Sequence, residues 1–532
     1  MKYPQWLRRA AALTIFLAIV WLFLSDGLAA VATARPLTWP QFAPSLMRFL
    51  HRPEMASAGW LAVIFLTILF GRIYCSVLCP LGITQDGIGR FFGQKKRRRF
   101  APTRNFFRYG ILALTIITFA AGSGLLLHLL DPFSAFGRIM NQLCRPAILA
   151  GRWLAANALE YFDIYLIAPP GWPLWVFSSF AVALLTLALT AWLAARHGRL
   201  YCNTLCPVGA ALALCARWAV FRPRFHAAAC TGCRQCEAVC KADCLNARAK
   251  RVDMSRCVAC YNCLTVCETG ALGILPPWTK PSAAKEDRVP ANGPEPTRRA
   301  LFAWIGAAAL AAAFAWAKES QATTDKPANI PHPEKPSTIP EKRNSPVSPP
   351  GSGGIAHYTA ACTACQLCVA VCPGRVLSPS FLTFGADSMM QPHMDFSGGY
   401  CTFECSNCLD VCPTGAILPL PLAEKKLTQI GIAQFIKENC IVHTEGTACG
   451  ACSEHCPTKA VDMVPYQHPT KNNLKIPQVK EEYCLGCGAC EHACPTRPYR
   501  AIFINGNPVH KKAKKPDFKP VAAPVDNGEF PF

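Results

Sequence analysis

No C-x-x-C-H motif occurs in the 532 residues, so covalently attached c-type haem is not expected. Acidic residues are scarce: 32 Asp and Glu stand against 54 Lys and Arg, a formal net charge of +22. An excess of that size suits nucleic acid, but the basic residues lie beside hydrophobic stretches and in tails, with no interleaved aromatic platform. Nucleic acid is therefore set aside as a partner. No DNA-binding or signalling module is present, which argues against a regulator. The chain is instead 52% hydrophobic and holds 31 cysteines. Small secreted proteins crowd cysteines into disulfide frameworks because their cores are small. This chain is too long for one domain, and cysteines two or three residues apart suit a metal site better than a bridge.

Four hydrophobic stretches occupy roughly residues 10–32, 55–75, 109–130 and 172–195. Each approaches the roughly 20 residues needed to cross about 30 Å of hydrocarbon. The basic run Lys95 to Arg99, the pair Arg8 and Arg9, and Arg196, Arg199, Arg217, Arg222 and Arg224 all belong in the cytoplasm by the positive-inside rule. These assignments fit four spans with both ends inside. A further apolar stretch, 297–317, opens on Thr297, Arg298 and Arg299, then Leu301 and Phe302, the pattern of a twin-arginine export signal. An ordinary fifth span would equally place residues 318–532 outside. Stretches 276–296 and 318–350, the latter rich in proline, serine and charge, read as linkers. The expected domains are a membrane domain over 1–212, a two-cluster ferredoxin domain over 213–275, a four-cluster domain over 351–510 and a basic, proline-rich tail over 511–532.

The cysteines fall into sets. CTGCRQCEAVC supplies Cys230, Cys233, Cys236 and Cys240, and CVACYNCLTVC supplies Cys257, Cys260, Cys263 and Cys267. This is the C-x2-C-x2-C-x3-C cadence of two-cluster bacterial ferredoxins. Three closely spaced thiolates wrap one cube, and the fourth, a helical turn on, points at the neighbouring cube. Cys230, Cys233, Cys236 and Cys267 should hold one cluster, and Cys257, Cys260, Cys263 and Cys240 the other. Four more sets follow: Cys362, Cys365, Cys368 and Cys372; Cys401, Cys405, Cys408 and Cys412; Cys440, Cys449, Cys452 and Cys456; Cys484, Cys487, Cys490 and Cys494. They can pair in sequence or nested, and spacing alone does not decide. Structural zinc needs only C-x2-C pairs separated by a long interval, so six full sets point to six [4Fe-4S] clusters.

GRIYCSVLCPLG (71–82) and GRLYCNTLCPVG (198–209) match at eight of twelve positions, each after a hydrophobic stretch. The four spans thus read as two copies of a two-span unit related by an axis along the membrane normal. Cys75, Cys79, Cys202 and Cys206 would lie at one depth, where they suit a metal, a seventh cluster, or a redox-active cysteine pair serving assembly. Cys144 and Cys215 read as packing residues, and Cys244 as a spare ligand.

Residues 1–275 resemble the membrane-bound ferredoxin NapH of periplasmic nitrate reductase systems and its relative MauN. The likeness rests on the spans, the two C-x3-C-P motifs and the following two-cluster ferredoxin. Residues 297–510 resemble the exported four-cluster ferredoxin NapG, or MauM, arginine pair included, although here both parts share one chain. The implied fold is an α-helical membrane bundle, four spans plus a signal-anchor helix, with α+β bacterial ferredoxin-like cluster domains. The implied function is electron transfer at a bacterial cytoplasmic membrane. It would run from the quinol pool to a periplasmic reductase or multihaem cytochrome partner, with the two-cluster domain cytoplasmic and the four-cluster domain periplasmic. The alternative is a maturation or reactivation factor supplying electrons to a periplasmic metalloenzyme. Quinol oxidation, if the chain performs it, needs proton acceptors near a membrane surface. His128 and Asp131 are the candidates, although a snorkelling His at a span end looks the same. With hydrocarbon between the two ferredoxin regions and a flexible linker joining them, slow electron transfer from inner to outer clusters is expected.

Overall fold

The structure is a computed structural model that describes residues 5–25, 28–92, 100, 105–165, 176–275, 339–467 and 473–515. The basic run Lys95 to Arg99, the linker 276–296, the twin-arginine stretch and most of the tail lie outside the described residues.

Among the described residues two helices, Gln5–Leu24 and Phe177–His197, are long and apolar enough to cross a membrane. The other two expected spans are shorter. Helix Gly59–Phe70 has 12 residues and ends at Gly71, whose φ of 80° breaks the helical path. At about 1.5 Å per residue it rises only about 18 Å. Helix Asn105–Ala120 has 16 residues, and after the turn at Gly122 the chain resumes as Leu125–Leu130. The four spans read from hydropathy thus become two full-length helices and two shorter apolar ones. The break at Gly71 has a purpose: it lets Tyr74–Val77 turn inward and bury Cys75. All four helices leave large apolar side chains exposed, among them Trp21, Phe65, Ile117 and Leu185, which water would not favour as a shared surface.

Inside the bundle, Phe23 packs on Phe133 and Phe136 at ring-centroid distances of 5.9 and 6.1 Å. The two-cluster domain follows helix Pro207–Ala216. Strands Arg222–Phe225 and Leu272–Leu275 pair antiparallel and clip its ends together. Leu245–Asn246 and Arg251–Val252 form a second small ladder. In the C-terminal domain Thr428–Phe435 pairs with Ile502–Lys512, Val461–Tyr466 with Leu474–Val479, and Leu377–Pro379 with Pro392–Met394, all antiparallel.

Two expectations change here. Residues 339–350 are part of the C-terminal domain rather than linker. The Ile339 N–H donates to Asn439 Oδ1 (2.8 Å), the Asn344 N–H donates to Asn505 Oδ1 (2.9 Å), and Val347 is buried in the core. More important, the C-terminal domain is docked on the helices. Asn141 Nδ2 donates to the Gln366 carbonyl (2.8 Å), Gln142 Nε2 to Gln366 Oε1 (3.3 Å), and Gln366 Nε2 to Ser179 Oγ (3.4 Å). Arg145 donates to the Ala370 carbonyl. Arg35 pairs with Asp410 at 3.7 Å. Phe23 and Phe136 share one hydrophobic core with Leu367, Val371 and Val411. That shared apolar burial, together with these hydrogen bonds, holds the domain in place whatever the length of the preceding linker.

Candidate metal centres

The regular C-x2-C-x2-C loops share one backbone device. The residues flanking the middle cysteine adopt left-handed φ in four sets: Gly232 and Arg234, Ala259 and Tyr261, Ala364 and Gln366, Gly486 and Gly488. Alternating handedness curls the loop into a concavity of N–H groups, which favours an anionic group. In the widened sets the residues after the middle cysteine, Ser406 and Gly450, have φ of −123° and −132°, so these loops reach the same end by length instead.

The groupings of cysteines answer the pairing question. One cavity is lined by Cys240, Cys257, Cys260 and Cys263, together with Cys244. A second is lined by Cys372, Cys401, Cys405 and Cys408, and a third by Cys440, Cys449, Cys452 and Cys494. Cys412 lies in electrostatic reach of Cys362, Cys365 and Cys368, and Cys456 in reach of Cys484, Cys487 and Cys490. Each fourth cysteine therefore crosses to the adjacent set, first with second and third with fourth, in sequence and not nested. Cys230, Cys233 and Cys236 gather as expected, and Cys267 is left as their fourth partner. Each group could hold a cubane, and each is named below by its first cysteine.

Among the described residues no three His, Cys, Asp or Glu side chains are close enough to hold a single metal ion. Burial pushes the Cys362 and Cys487 thiols up to about 12. Thiols there are neutral at pH 7, and binding iron as thiolates releases their protons.

The sites adjoin one another in order. Cys236 lies in reach of Cys263, joining the Cys230 and Cys257 sites. Cys368 lies in reach of Cys408, joining the Cys362 and Cys401 sites. The Cys401 N–H donates to the Cys487 carbonyl (2.9 Å), joining the Cys401 and Cys484 sites. Cys490 lies in reach of Cys452, joining the Cys484 and Cys440 sites. The Cys362 site is the one against the helices: a Cβ on Gly137 would stand 2.2 Å from the Cys365 carbonyl oxygen.

Some partners escaped the reading of spacing. A threonine two residues after a ligand cysteine places its hydroxyl on that sulfur, at 3.7 Å for Thr269, 3.6 Å for Thr414, 3.7 Å for Thr458 and 3.1 Å for Thr496. The available signal was Cys-Pro-Thr in three of the four, with Cys267-Glu268-Thr269 the fourth. Cys244 is a second case. Its Sγ lies 3.5 Å from that of Cys240, and its hydrogen bond brings Cys240 down to about 7. It also bonds Cys257. Cys244 is thus an S–H donor to two ligand sulfurs. Hydrogen bonds to cluster sulfurs tune potential. Cys244→Ala is expected to keep the full iron content and lower the potential of the Cys257 site, seen by EPR-monitored titration; loss of about four iron would mean Cys244 is itself a ligand.

His128 and Asp131 are buried under the C-terminal domain, 2% and 1% exposed. His128 Nε2 lies 3.4 Å from Gln391 Nε2, and Asp131 Oδ2 accepts from the Ser134 N–H (2.8 Å), capping helix Pro132–Ile139. Neither snorkels: both side chains are enclosed by protein. Cys144 and Cys215 belong to no cysteine group; both are half-buried in the helical part, as packing residues would be.

Cys75, Cys79, Cys202 and Cys206 come together: Cys202 is in electrostatic reach of each of the other three, and all four are buried. Nearby, Asp86 binds Arg199 Nε (2.7 Å) and Lys241 Nζ (2.6 Å). Burial alone would push Asp86 up, but the two cations bring it down to about 2. A depressed carboxylate stabilises the fold above its unfolded value and loses that contribution only as pH falls from about 4 to 2. The bridge is complete at neutral pH. Asp86→Asn should therefore cost about 3 kcal/mol at pH 7, read as a lower melting temperature; an unchanged value would show the bridge to be idle.

These cysteine groups are of the kind that ferredoxin-type iron–sulfur proteins carry. Comparison with known proteins agrees. A 4Fe-4S binding domain matches residues 54–99 and 174–226, a 4Fe-4S dicluster domain matches 361–416 and 447–497, and a further 4Fe-4S binding domain matches 250–273. The chain is similar to the methylamine utilization ferredoxin-type protein MauM of Methylophilus methylotrophus, at 30% identity over 28% of this chain and 65% of that protein. It is similar to the ferredoxin-type protein NapH of Haemophilus influenzae, at 24% identity over 38% of this chain and 60% of that protein. It is similar also to NapF of Escherichia coli, at 27% identity over 27% of this chain and 77% of that protein. The chain thus spans 65% and 60% of the length of the MauM and NapH relatives. No solved structure matches.

Proposed function

We propose that this chain is a membrane-bound electron carrier linking the quinol pool to a periplasmic terminal reductase or another periplasmic redox partner. Six [4Fe-4S] clusters, each held by one of the groups named above, carry single electrons. The two-cluster domain is cytoplasmic and the C-terminal domain periplasmic. The observation that supports this reading best is the unbroken order of sites in the C-terminal domain, from the Cys362 site against the helices to the Cys440 site at the far end. A maturation factor needs to deliver occasional electrons and has no use for four sites in file. The Cys440 site is where electrons leave for the partner.

The test is anaerobic purification in detergent followed by reduction with a menaquinol analogue, watched by EPR. Reduction of several cluster signals within the turnover time of a terminal reductase is the expected outcome. Signals that respond to dithionite but never to quinol would rule out the quinol-linked reading.

A further inference from the structure

Of the 31 cysteines, Cys233 alone is exposed. It belongs to the Cys230 site, whose setting differs from that of the adjoining Cys257 site. The helical domain holds the Cys257 loop: Arg72 Nε donates to the Cys257 carbonyl (3.4 Å), Arg108 Nη2 to the Ser255 carbonyl (2.6 Å), and Gln5 Nε2 to the Tyr261 carbonyl (2.6 Å). The Cys230 loop, residues 226–236, makes no such bond to the helices among the described residues. Ala228, Ala229, Thr231 and Gly232 beside Cys233 are exposed and small, so a partner can come close to its sulfur.

The charge on that face is one-sided. Residues 222–275 hold eight Lys and Arg against four Asp and Glu. Internal partners account for part of each. Arg256 binds Asp253 (2.9 Å), and Lys241 binds Asp86 of the helical domain (2.6 Å). Arg222 Nη1 reaches the Arg217 carbonyl (3.3 Å), and Arg224 is half-buried near it. Of the acids, Glu237 is buried and accepts from the Ala247 N–H (2.6 Å), Asp243 is half-buried with a partner of its own, and Glu268 is exposed. The other four cations gather near Cys233. Arg234 follows it directly. Lys250 Nζ donates to the Ala227 carbonyl (2.6 Å), which lays the hairpin of Leu245–Asn246 and Arg251–Val252 against the segment leading to Cys230. That hairpin presents Arg248 and Arg251, both exposed, and neither they nor Arg234 makes an ion pair among the described residues. Guanidinium groups in water add little to stability, so folding does not explain why they cluster at the one exposed cysteine.

We propose that Cys233, framed by Arg234, Arg248 and Arg251, is the docking surface for a small acidic one-electron carrier protein. A surface of aspartates and glutamates complements three unpaired guanidinium groups, and opposite charge raises encounter rates by about 10- to 1,000-fold. One electron leaves the reduced carrier, which is oxidised, and enters the Cys230 cluster, which is reduced; no bond forms or breaks and no proton moves. The Cys257 cluster, adjoining through Cys236 and Cys263, takes the electron on toward the helices. This entry is separate from the quinol pool, and it rests on the electron-transfer reading above.

The experiment uses anaerobically purified full-length protein and two reductants, a reduced acidic [2Fe-2S] ferredoxin and a neutral deazaflavin radical. Reduction of the Cys230 and Cys257 clusters is followed by stopped flow and EPR. Raising the ionic strength from about 0.01 M to about 1 M shortens the screening length from about 30 Å to about 3 Å. The rate with ferredoxin should then fall about tenfold or more, while the rate with the radical holds. In Arg248→Glu/Arg251→Glu the ratio of the ferredoxin rate to the radical rate should be about tenfold below that of the parent. A ferredoxin rate indifferent to salt, or an unchanged ratio in the variant, overturns the proposal. Should the variant lose iron, the salt response of the parent decides alone. Clusters that the radical cannot reduce would overturn the electron-transfer reading itself. Clusters that it reduces, but that ferredoxin at low salt does not, would overturn the docking surface alone.

Discussion

Cys412→Ala is expected to destroy the Cys362 site while sparing the Cys401 site, although Cys412 belongs to the same sequence set as Cys401, Cys405 and Cys408. The reason is the crossing of the fourth cysteine: Cys412 faces Cys362, Cys365 and Cys368, whereas Cys372 completes the cavity with Cys401, Cys405 and Cys408. The variant should lose about four iron per chain. Native alkylation followed by mass spectrometry should find Cys362, Cys365 and Cys368 newly reactive and Cys401, Cys405 and Cys408 still protected. The reverse labelling would contradict the assignment. Because the Cys362 site is the one against the helices, its loss should also leave the three outer clusters unreduced by any donor in the membrane domain. Chemical reduction from solution should still reach them.

Replacing both Arg298 and Arg299 with lysine is expected to trap residues 318–532 on the cytoplasmic side. Lysine keeps the charge but not the planar, five-donor fork of arginine, so recognition of the pair would be lost. The helical domain should insert normally, and cell fractionation with a reporter fused after Phe532 reads the outcome. Export of a folded reporter from the lysine variant would refute the twin-arginine reading and favour a plain fifth span. Ala315-Trp316-Ala317 resembles a cleavage site. A cut there would leave the C-terminal domain held only by its docking contacts around Asn141, Gln142 and Gln366. A single full-length band on a gel would show that no cut is made.

The cysteine groups were legible in the sequence because cubane geometry would impose its own ruler: a thiolate every third residue and a fourth one helical turn later. The crossing of Cys240 to the Cys257 site followed from that ruler and is what the cavity displays. Pairing among the four later sets was not legible, since sequential and nested pairing use identical spacings and differ only in tertiary packing. Hydropathy found the apolar stretches but overcounted the full-length helices. A composition window does not see that Gly71 and Gly122 end helices inside the stretch. The meeting of Cys75, Cys79, Cys202 and Cys206 was foreshadowed by the twelve-residue repeat. The approach of Arg108 to Cys75 was not, because Arg108 comes from a different helix with no motif of its own. The expectation of a loose outer domain failed for a related reason. A proline-rich linker says only that a domain is free to move, while Gln366, Leu367 and Val371 decide where it rests.

The path as a whole is tested most directly in quinone-free liposomes. The clusters of residues 230–267 are reduced selectively from the face that the proposed topology makes cytoplasmic, and the EPR signals of the C-terminal domain are followed by rapid freezing. The docked arrangement, in which Gly137 of the helices abuts Cys365 and Arg72 of the helices bonds the Cys257 carbonyl, predicts that the outer clusters are reduced promptly and without added quinone. Outer clusters that stay oxidised until quinone or a partner protein is supplied would contradict a continuous path within this chain.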